Sequence, residues 1–117
     1  MDEERFKART KKLALDIIQL VESLPRSRTA DVIGRQLLRC GTSVGANYRA
    51  ACRGRSKADV IAKLAIVEEE ADETTYWIEL LVESHIVSPS QVNGLLKETN
   101  EIIAMTVASI KTLREQK

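Results

Sequence analysis

Residues 88–113 read SPSQVNGLLKETNEIIAMTVASIKTL, and this stretch decides the fold class. Its apolar residues recur every three or four positions, so on a helix they occupy an arc of about 120°, as expected of a helix that faces one core. Ser88 and Gln91 form a capping-box pattern, and Pro89 takes the first helical position, where proline is favoured. The stretch therefore predicts one amphipathic helix with a defined start.

Three earlier stretches carry the same helical period: residues 3–24, 30–53 and 56–84. Only five glycines and two prolines occur in 117 residues, far fewer turn residues than a β-sandwich or barrel needs. Because the loops between successive helices are short, neighbouring helices should be antiparallel. We therefore predict an all-α fold in which residues 1–117 form a single domain, an antiparallel up-down-up-down four-helix bundle.

Each predicted boundary has a local signal. Pro25 interrupts the first helix, and Thr29 is the expected N-cap of the second. Gly54 is expected to end the second helix in the left-handed conformation, and Ser56 with Asp59 forms a second capping-box pattern. Glycines inside the second helix, each unfavourable by about 1 kcal/mol relative to alanine, predict close approach of a neighbouring helix or a kink. They are Gly34, Gly41 and Gly45.

The composition is that of a folded protein, with 44% hydrophobic and 30% charged residues. No stretch approaches the roughly 18 apolar residues of a membrane span, and the charged first residues do not resemble a secretory signal. Cys40 and Cys52 lack CxxC spacing and are too few for a disulfide framework. We expect a cytoplasmic protein without membrane contact.

A run of acidic residues in the third helix raises the question of a metal site. A di-iron bundle needs a Glu-x-x-His pair on each of two helices, but His85 is the only histidine and Val82 stands three residues before it. Magnesium-dependent all-α nucleotide pyrophosphatases use acidic pairs three residues apart. The candidate pairs are Glu69 with Asp72, Glu70 with Glu73, and Glu98 with Glu101. Glu69, Asp72 and Glu73 are predicted to lie opposite the apolar stripe of the third helix, and Glu98 and Glu101 well off that of the fourth. Carboxylates that face solvent in different directions cannot share one ion, so we expect no metal and no cofactor.

Nucleophilic catalysis has no matching set of residues. Cys40 falls on the core face of the second helix, where a thiol acts as a small hydrophobe. Cys52 lies nearer the polar side beside Arg53, which is expected to lower the pKa of the thiol. His85 suits the C-terminal end of the third helix, where a cation or donor meets the helix dipole. We predict that the chain is not an enzyme, and keep the pyrophosphatase as an alternative.

Charge is distributed unevenly along the chain. Residues 1–57 contain 13 Lys/Arg and 6 Asp/Glu, a net +7, whereas residues 58–117 contain 5 and 11, a net −6. Four arginines of the second helix fall within about 80° of one another, and two cations follow the helix. This basic face comprises Arg35, Arg39, Arg49, Arg53, Arg55 and Lys57.

The basic face has two functional interpretations besides a plain solvated surface. Arginine forks suit phosphate groups, which favours RNA binding. Alternatively, the face meets the acidic face of the third helix in a neighbouring subunit. We define that acidic face by Glu69, Asp72 and Glu73. Apolar residues outside the core stripes predict a second buried surface and head-to-tail self-association. They are Leu15, Ile18, Leu38, Tyr48 and Trp77.

The stretch from Leu37 to Leu81, LLRCGTSVGANYRAACRGRSKADVIAKLAIVEEEADETTYWIELL, resembles the proteins encoded in 23S ribosomal RNA intervening sequences. The shared pattern is a Ser-x-x-x-Asn element, an Arg-Ser that opens the third helix, and acidic residues within that helix. Here its members are Ser43, Asn47, Arg55, Ser56, Glu70 and Glu73. Many members have Pro where this chain has Gly45, and Glu-Gly at Ala50 and Ala51.

The resemblance implies a homopentamer of four-helix bundles without known catalytic activity. A more distant relative, the accessory protein of diversity-generating retroelements, is similar in architecture and binds RNA and a reverse transcriptase. We therefore expect a homo-oligomeric scaffold whose partners are its own copies and RNA or an RNA-binding protein. The alternative is an assembly module with no nucleic-acid role. For Asn47, at the edge of the core face, we expect a hydrogen bond to the backbone.

Overall fold

A computed structural model of the chain describes residues 2–116, which form four α-helices. The helices are α1 (Glu3–Glu22), α2 (Arg28–Cys52), α3 (Lys57–Glu83) and α4 (Pro89–Glu115). Each helix packs against the next in the chain and α1 also meets α4, which closes a bundle of 50 × 21 × 20 Å. The described residues contain no strand, so the predicted all-α four-helix bundle is confirmed.

Polar caps begin three of the helices close to where the sequence places them. The Asp2 carboxylate accepts the Glu4 N–H at 3.0 Å at the start of α1. Ser56 Oγ accepts the Asp59 N–H at 3.0 Å at the start of α3. Ser88 N–H donates to Gln91 Oε1 at 2.8 Å, which confirms the capping box predicted for these two residues. The orphan amides of these helix starts are satisfied within a few residues of sequence.

The predicted N-cap of α2 is wrong. Ser27, not Thr29, adopts the extended backbone of a cap (φ −148°, ψ 160°), and its side chain accepts the Ala30 N–H at 3.1 Å. The two hydroxyl residues stand two positions apart, so helical periodicity alone does not separate them. As a consequence, Arg28 lies in the first turn of α2 rather than in the preceding loop.

The predicted left-handed end of α2 is also wrong, because no glycine within residues 2–116 has a positive φ. The helix ends instead in hydrogen bonds between residues three apart, one of which runs from the Gly54 N–H to the Ala51 carbonyl at 3.0 Å. A Cβ at Gly54 would lie 2.4 Å from Val60 Cγ2. Glycine is therefore required at position 54, because the first turn of α3 packs directly against the end of α2.

The left-handed residue of the bundle is His85, with φ 63°. It follows α3, and the amides of His85 and Ile86 donate to the carbonyls of Val82 and Leu81 at 3.0 and 2.9 Å. This pair of bonds is a Schellman ending, in which glycine is the usual residue. His85 thus lies at the helix end, as predicted, but in a conformation that costs a residue with a side chain about 1 kcal/mol.

Aliphatic side chains from all four helices form the core, together with one aromatic pair. Tyr48 is buried and its ring meets that of Phe6 edge-on, with centroids 4.5 Å apart, so its predicted place outside the core is wrong. Buried threonine hydroxyls donate to the carbonyl three or four residues earlier, as Thr106 does to Ile102 at 2.7 Å. These bonds leave no unsatisfied hydroxyl in an apolar interior. No helix within residues 2–116 combines the length and apolar composition needed to cross a membrane.

The glycines inside α2 mark close approach of α1. A Cβ at Gly41 would lie 2.9 Å from Ile17 Cγ1, and one at Gly45 would lie 3.2 Å from Thr10 Oγ1. Both distances are below ordinary van der Waals contact, so only glycine lets the two helices lie this close. Of the two alternatives that the sequence leaves open, close packing is the one observed.

Candidate nucleic-acid or subunit interface

The predicted basic face is exposed along its full length. All six residues that define it are accessible to solvent. Arg28 lies on the same side of α2, because Arg35 and Arg53 follow it by 7 and 25 residues, both close to whole numbers of turns. Since α2 has 25 residues, the basic face extends about 37 Å along the helix axis. Sequence reasoning missed Arg28 because it began the helix at residue 30.

Arg39 differs from the other arginines of this face because it is bound within the chain. Its Nη1 lies 3.1 Å from Glu70 Oε2, and its Nη2 contacts Glu73 Oε2. Its Nε also donates to Gln36 Oε1 at 3.2 Å. This arginine therefore joins α2 to α3 in the same molecule, and its two predicted roles, toward phosphate or toward a neighbouring subunit, compete with that pairing.

The other arginines on this side of α2 are not paired with a carboxylate in the described residues. Arg28, Arg35, Arg49 and Arg53 form no ion pair within residues 2–116. Beyond the helix end, Arg55 donates its backbone N–H to Asp59 at 3.2 Å. Lys57 Nζ reaches the carbonyl of Gln116. Unpaired guanidinium groups on one face are available to an anion without breaking an existing bond.

The acidic face of α3 divides into two parts. Glu69 and Asp72 are exposed and make no ion pair in the described part of the chain. Glu73 is half-buried and accepts hydrogen bonds from Arg39 and from Trp77 Nε1, the latter at 3.0 Å. The prediction that Glu73 points away from the bundle is therefore wrong, because it lies on the flank of α3 that faces α2.

An aromatic pair lies beside these carboxylates. The rings of Tyr76 and Trp77 meet edge-on with centroids 5.2 Å apart, and Tyr76 is 53% exposed. The indole is half-buried and packs against the core, with its N–H held by Glu73. Of the apolar residues predicted to form a second surface, Leu15 and Ile18 are also exposed, whereas Leu38 is half-buried.

Two of the three acidic pairs considered as magnesium ligands hold arginines instead. Arg9 of α1 donates from Nε and Nη2 to Glu98 at 2.9 and 2.6 Å, and from Nη2 to Glu101 at 3.1 Å. This hydrogen bonding lowers the pKa of Glu98. Arg39 bridges the other pair in the same way. These two pairs each have a guanidinium as counter-ion, whereas Glu69 and Asp72 make no ion pair in the described residues. Residues 2–116 contain no cluster of three or more potential metal ligands.

Ser43 and Asn47 form one local unit on α2. Asn47 Nδ2 donates to the Ser43 carbonyl at 2.9 Å and to Ser43 Oγ at 2.8 Å. The predicted hydrogen bond from Asn47 to the backbone is confirmed. Two polar side chains one turn apart therefore satisfy each other at the half-buried edge of the helix.

Neither thiol is activated. Cys40 is fully buried and accepts a hydrogen bond from the Thr74 hydroxyl at 3.3 Å. Burial raises the pKa of Cys52, so the expected lowering by Arg53 is wrong. The loss of hydration on the half-buried flank of α2 outweighs any nearby positive charge. Both thiols remain in the unreactive protonated form at neutral pH.

An open groove lies between α1 and α2, beside Arg49 of the basic face. It has a volume of about 530 Å³, and its lining includes Lys7, Lys11, Gly45, Ala46 and Arg49. Periodicity within single helices did not predict it, because a groove requires the register between two helices. The spacing of Gly41 and Gly45 was the available signal, since it marks where the helices approach.

Comparison with known proteins agrees with this geometry. Residues 4–108 match the family described as 23S rRNA-intervening sequence protein. A solved structure from Bacteroides thetaiotaomicron VPI-5482, described as a protein of unknown function from the S23 ribosomal protein family, is 35% identical. The alignment covers 95% of this chain and 99% of that one, with a TM-score of 0.88. The comparison with curated proteins found no match. Because the matched residues make up most of the chain, it belongs to the 23S rRNA-intervening sequence protein family.

Proposed function

We propose that this chain is a non-enzymatic, homo-oligomeric scaffold that binds RNA through the basic face of α2. The observation that carries the proposal is the set of exposed arginines without a carboxylate partner in residues 2–116. Folded surfaces usually mix charges of both signs, but no acidic residue interrupts the chain between Asp31 and Asp59. Such a face attracts a polyanion along its length.

The arrangement of the free arginines supports phosphate as the ligand. Arg49 and Arg53 are four residues apart, which spaces them by about 6 Å along the helix axis. Planar guanidinium groups bind phosphate oxygens with two parallel hydrogen bonds, which lysine does not do. RNA rather than DNA follows from the resemblance to the retroelement accessory protein, not from the arginines themselves.

Self-association is supported by apolar side chains left on the outside of the bundle. Tyr76 and Val32 are each more than half exposed. Aromatic residues flanked by arginine are typical of the centres of protein interfaces, and Tyr76 lies beside Trp77 near the Arg39 ion pair. The pentamer expected from the resemblance would bury part of this surface.

Two measurements test the proposal. Light scattering after size-exclusion chromatography should give about five times the monomer mass of 13.1 kDa at both low and high salt. Fluorescence anisotropy with labelled RNA should show binding that Arg35→Gln/Arg53→Gln weakens by about tenfold or more. The matched control is Lys97→Gln/Lys111→Gln, which removes two exposed cations from α4.

Each failure points to a different alternative. A monomer at both salt concentrations would refute the scaffold. An oligomer that falls apart at high salt and binds no RNA would indicate charge-driven assembly between α2 and α3. Equal RNA loss in the α4 control variant would mean that overall charge, and not the basic face, determines binding. Magnesium-dependent nucleotide hydrolysis that Glu70→Gln abolishes would restore the pyrophosphatase alternative.

A further inference from the structure

We infer that the α1–α2 groove holds a single strand of RNA, with its phosphates between Lys11 and Arg49 and an unpaired base on Leu15 and Ile18. The inference rests on the proposed function and names the path of the ligand. Arg49 belongs both to the basic face and to the lining of the groove. A strand that follows the arginines of α2 is therefore led into the groove.

The groove is narrow because the residues of its floor are small. Gly45 packs on Thr10, to which an added Cβ would approach within 3.2 Å. Ala8, Ala14 and Ala46 also line it, and none of them fills the space between the helices. The resulting volume of about 530 Å³ lies within the range of protein ligand sites. A duplex could reach only the rim, since its two strands are far wider than the gap between adjacent helices.

Three cations and the carboxylate of Glu4 line the groove, and the cations come from both walls. Lys7 also lines the groove, but it pairs with Glu3 at 3.4 Å and Glu4 at 3.6 Å. Lys11 of α1 and Arg49 of α2 have no ion-pair partner within residues 2–116. Two opposed cations across a narrow groove neutralise a phosphodiester backbone better than the same charges on a flat surface.

An apolar strip continues from Lys11 along α1. Leu15 and Ile18 follow it by four and seven residues, which places all three on one side of the helix. Leu15 is 55% exposed and Ile18 is 39% exposed. A duplex shields the faces of its bases by stacking, whereas a single strand offers both phosphates and apolar base faces. The combination of cations and an apolar strip therefore selects a single strand.

Ala46→Glu tests this path, because it places a carboxylate in the groove at an exposed helical position. Its matched control is Ala104→Glu, at an exposed alanine of α4. We expect Ala46→Glu to weaken binding of a labelled oligouridylate of about 12 nucleotides by about tenfold, through repulsion of the phosphates. Ala104→Glu should bind as wild type, and both variants should keep the wild-type thermal midpoint.

A second pair of variants tests whether the apolar strip selects single-stranded RNA over duplex RNA. Leu15→Ser should weaken oligouridylate binding and leave the affinity for duplex RNA of equal length unchanged. Val107→Ser, at an apolar residue of α4 that is also exposed, should affect neither ligand. Equal losses for single-stranded and duplex RNA would overturn the role of the strip.

The outcomes separate the inference from the proposed function. If Ala46→Glu binds oligouridylate as wild type while Arg35→Gln/Arg53→Gln does not, the groove is not the path but the basic face still binds RNA. If wild type binds no RNA at all, both fail. If phosphatidylserine vesicles bind and oligouridylate does not, the cations and the apolar strip bind a membrane surface, and the inference is overturned.

Discussion

Replacing glycine by alanine should have opposite effects at two positions of this bundle. At Gly41 an added Cβ would lie 2.9 Å from Ile17 Cγ1 and 3.0 Å from Ile17 Cγ2. Ile17 is fully buried, so it has no free space into which to move. At Gly94, an exposed residue of α4, an added Cβ would meet no atom within 4 Å. The same chemical change therefore tests how closely α1 and α2 pack.

The expected magnitudes follow from two terms. In both helices alanine is favoured over glycine by about 1 kcal/mol. Gly94→Ala gains this term alone, so we expect the free energy of unfolding to rise by about 1 kcal/mol. At Gly41 the overpacking of a filled core costs about 1–3 kcal/mol, which outweighs the gain. We expect Gly41→Ala to lower the free energy of unfolding by about 1 kcal/mol, or the melting temperature by about 4 °C.

Urea unfolding followed by circular dichroism measures both variants. All samples should have one protein concentration, because dissociation of an oligomer would otherwise change the midpoint. A double-mutant cycle of Gly41→Ala with Ile17→Ala should show coupling, whereas Gly94→Ala with Ile17→Ala should be additive. If Gly41→Ala stabilises the protein as much as Gly94→Ala does, α1 and α2 are not in close contact and the reasoning is refuted.

Three further substitutions test local features of the bundle. His85→Gly should raise the urea midpoint, by about 1 kcal/mol of stability, because it relieves the left-handed conformation at φ 63°; a lower midpoint would contradict this. Arg9 lowers the pKa of Glu98 below 4.5, so the pair stabilises the fold above about pH 4.5 and this stabilisation is lost as pH falls through the lowered pKa. Glu98→Gln should accordingly cost about 1 kcal/mol at neutral pH and progressively less in acid, and a difference that is constant with pH would be inconsistent with the pairing. Arg39→Met should destabilise the protein by about 1 kcal/mol, since two carboxylates lose their counter-ion, whereas Arg35→Met should change the free energy of unfolding little.

The fold could be predicted because its determinants are local. The apolar period of residues 88–113 gives the core face of α4, and the cap of Ser88 with Gln91 gives its start. The same kind of signal failed at α2, where Ser27 and Thr29 are both possible caps. The prediction for Gly54 was wrong for a different reason. Glycine is needed at this position because of its contact with Val60 of the next helix, and not because of a left-handed backbone.

The candidate site was only partly predictable, because its groove and its ion pairs lie on the flanks between helices. Periodicity along one helix indicates which side faces the core, but not which neighbour covers the edge of that side. Tyr48 is at such an edge and is buried because Phe6 of α1 reaches it. Glu73 and Cys52 lie at similar edges, and the register between helices determines their partners and their hydration.

The salt dependence of RNA affinity tests the proposed function most directly. Each phosphate contact with a single strand contributes about −0.7 to the slope of log Kobs against log salt. We expect wild type to show a steep slope and Arg35→Gln/Arg53→Gln to reduce its magnitude by about 1.4, the value for two contacts. Lys97→Gln/Lys111→Gln should leave the slope unchanged. A slope that is equal in wild type and in the arginine variant would contradict RNA binding by the basic face of α2.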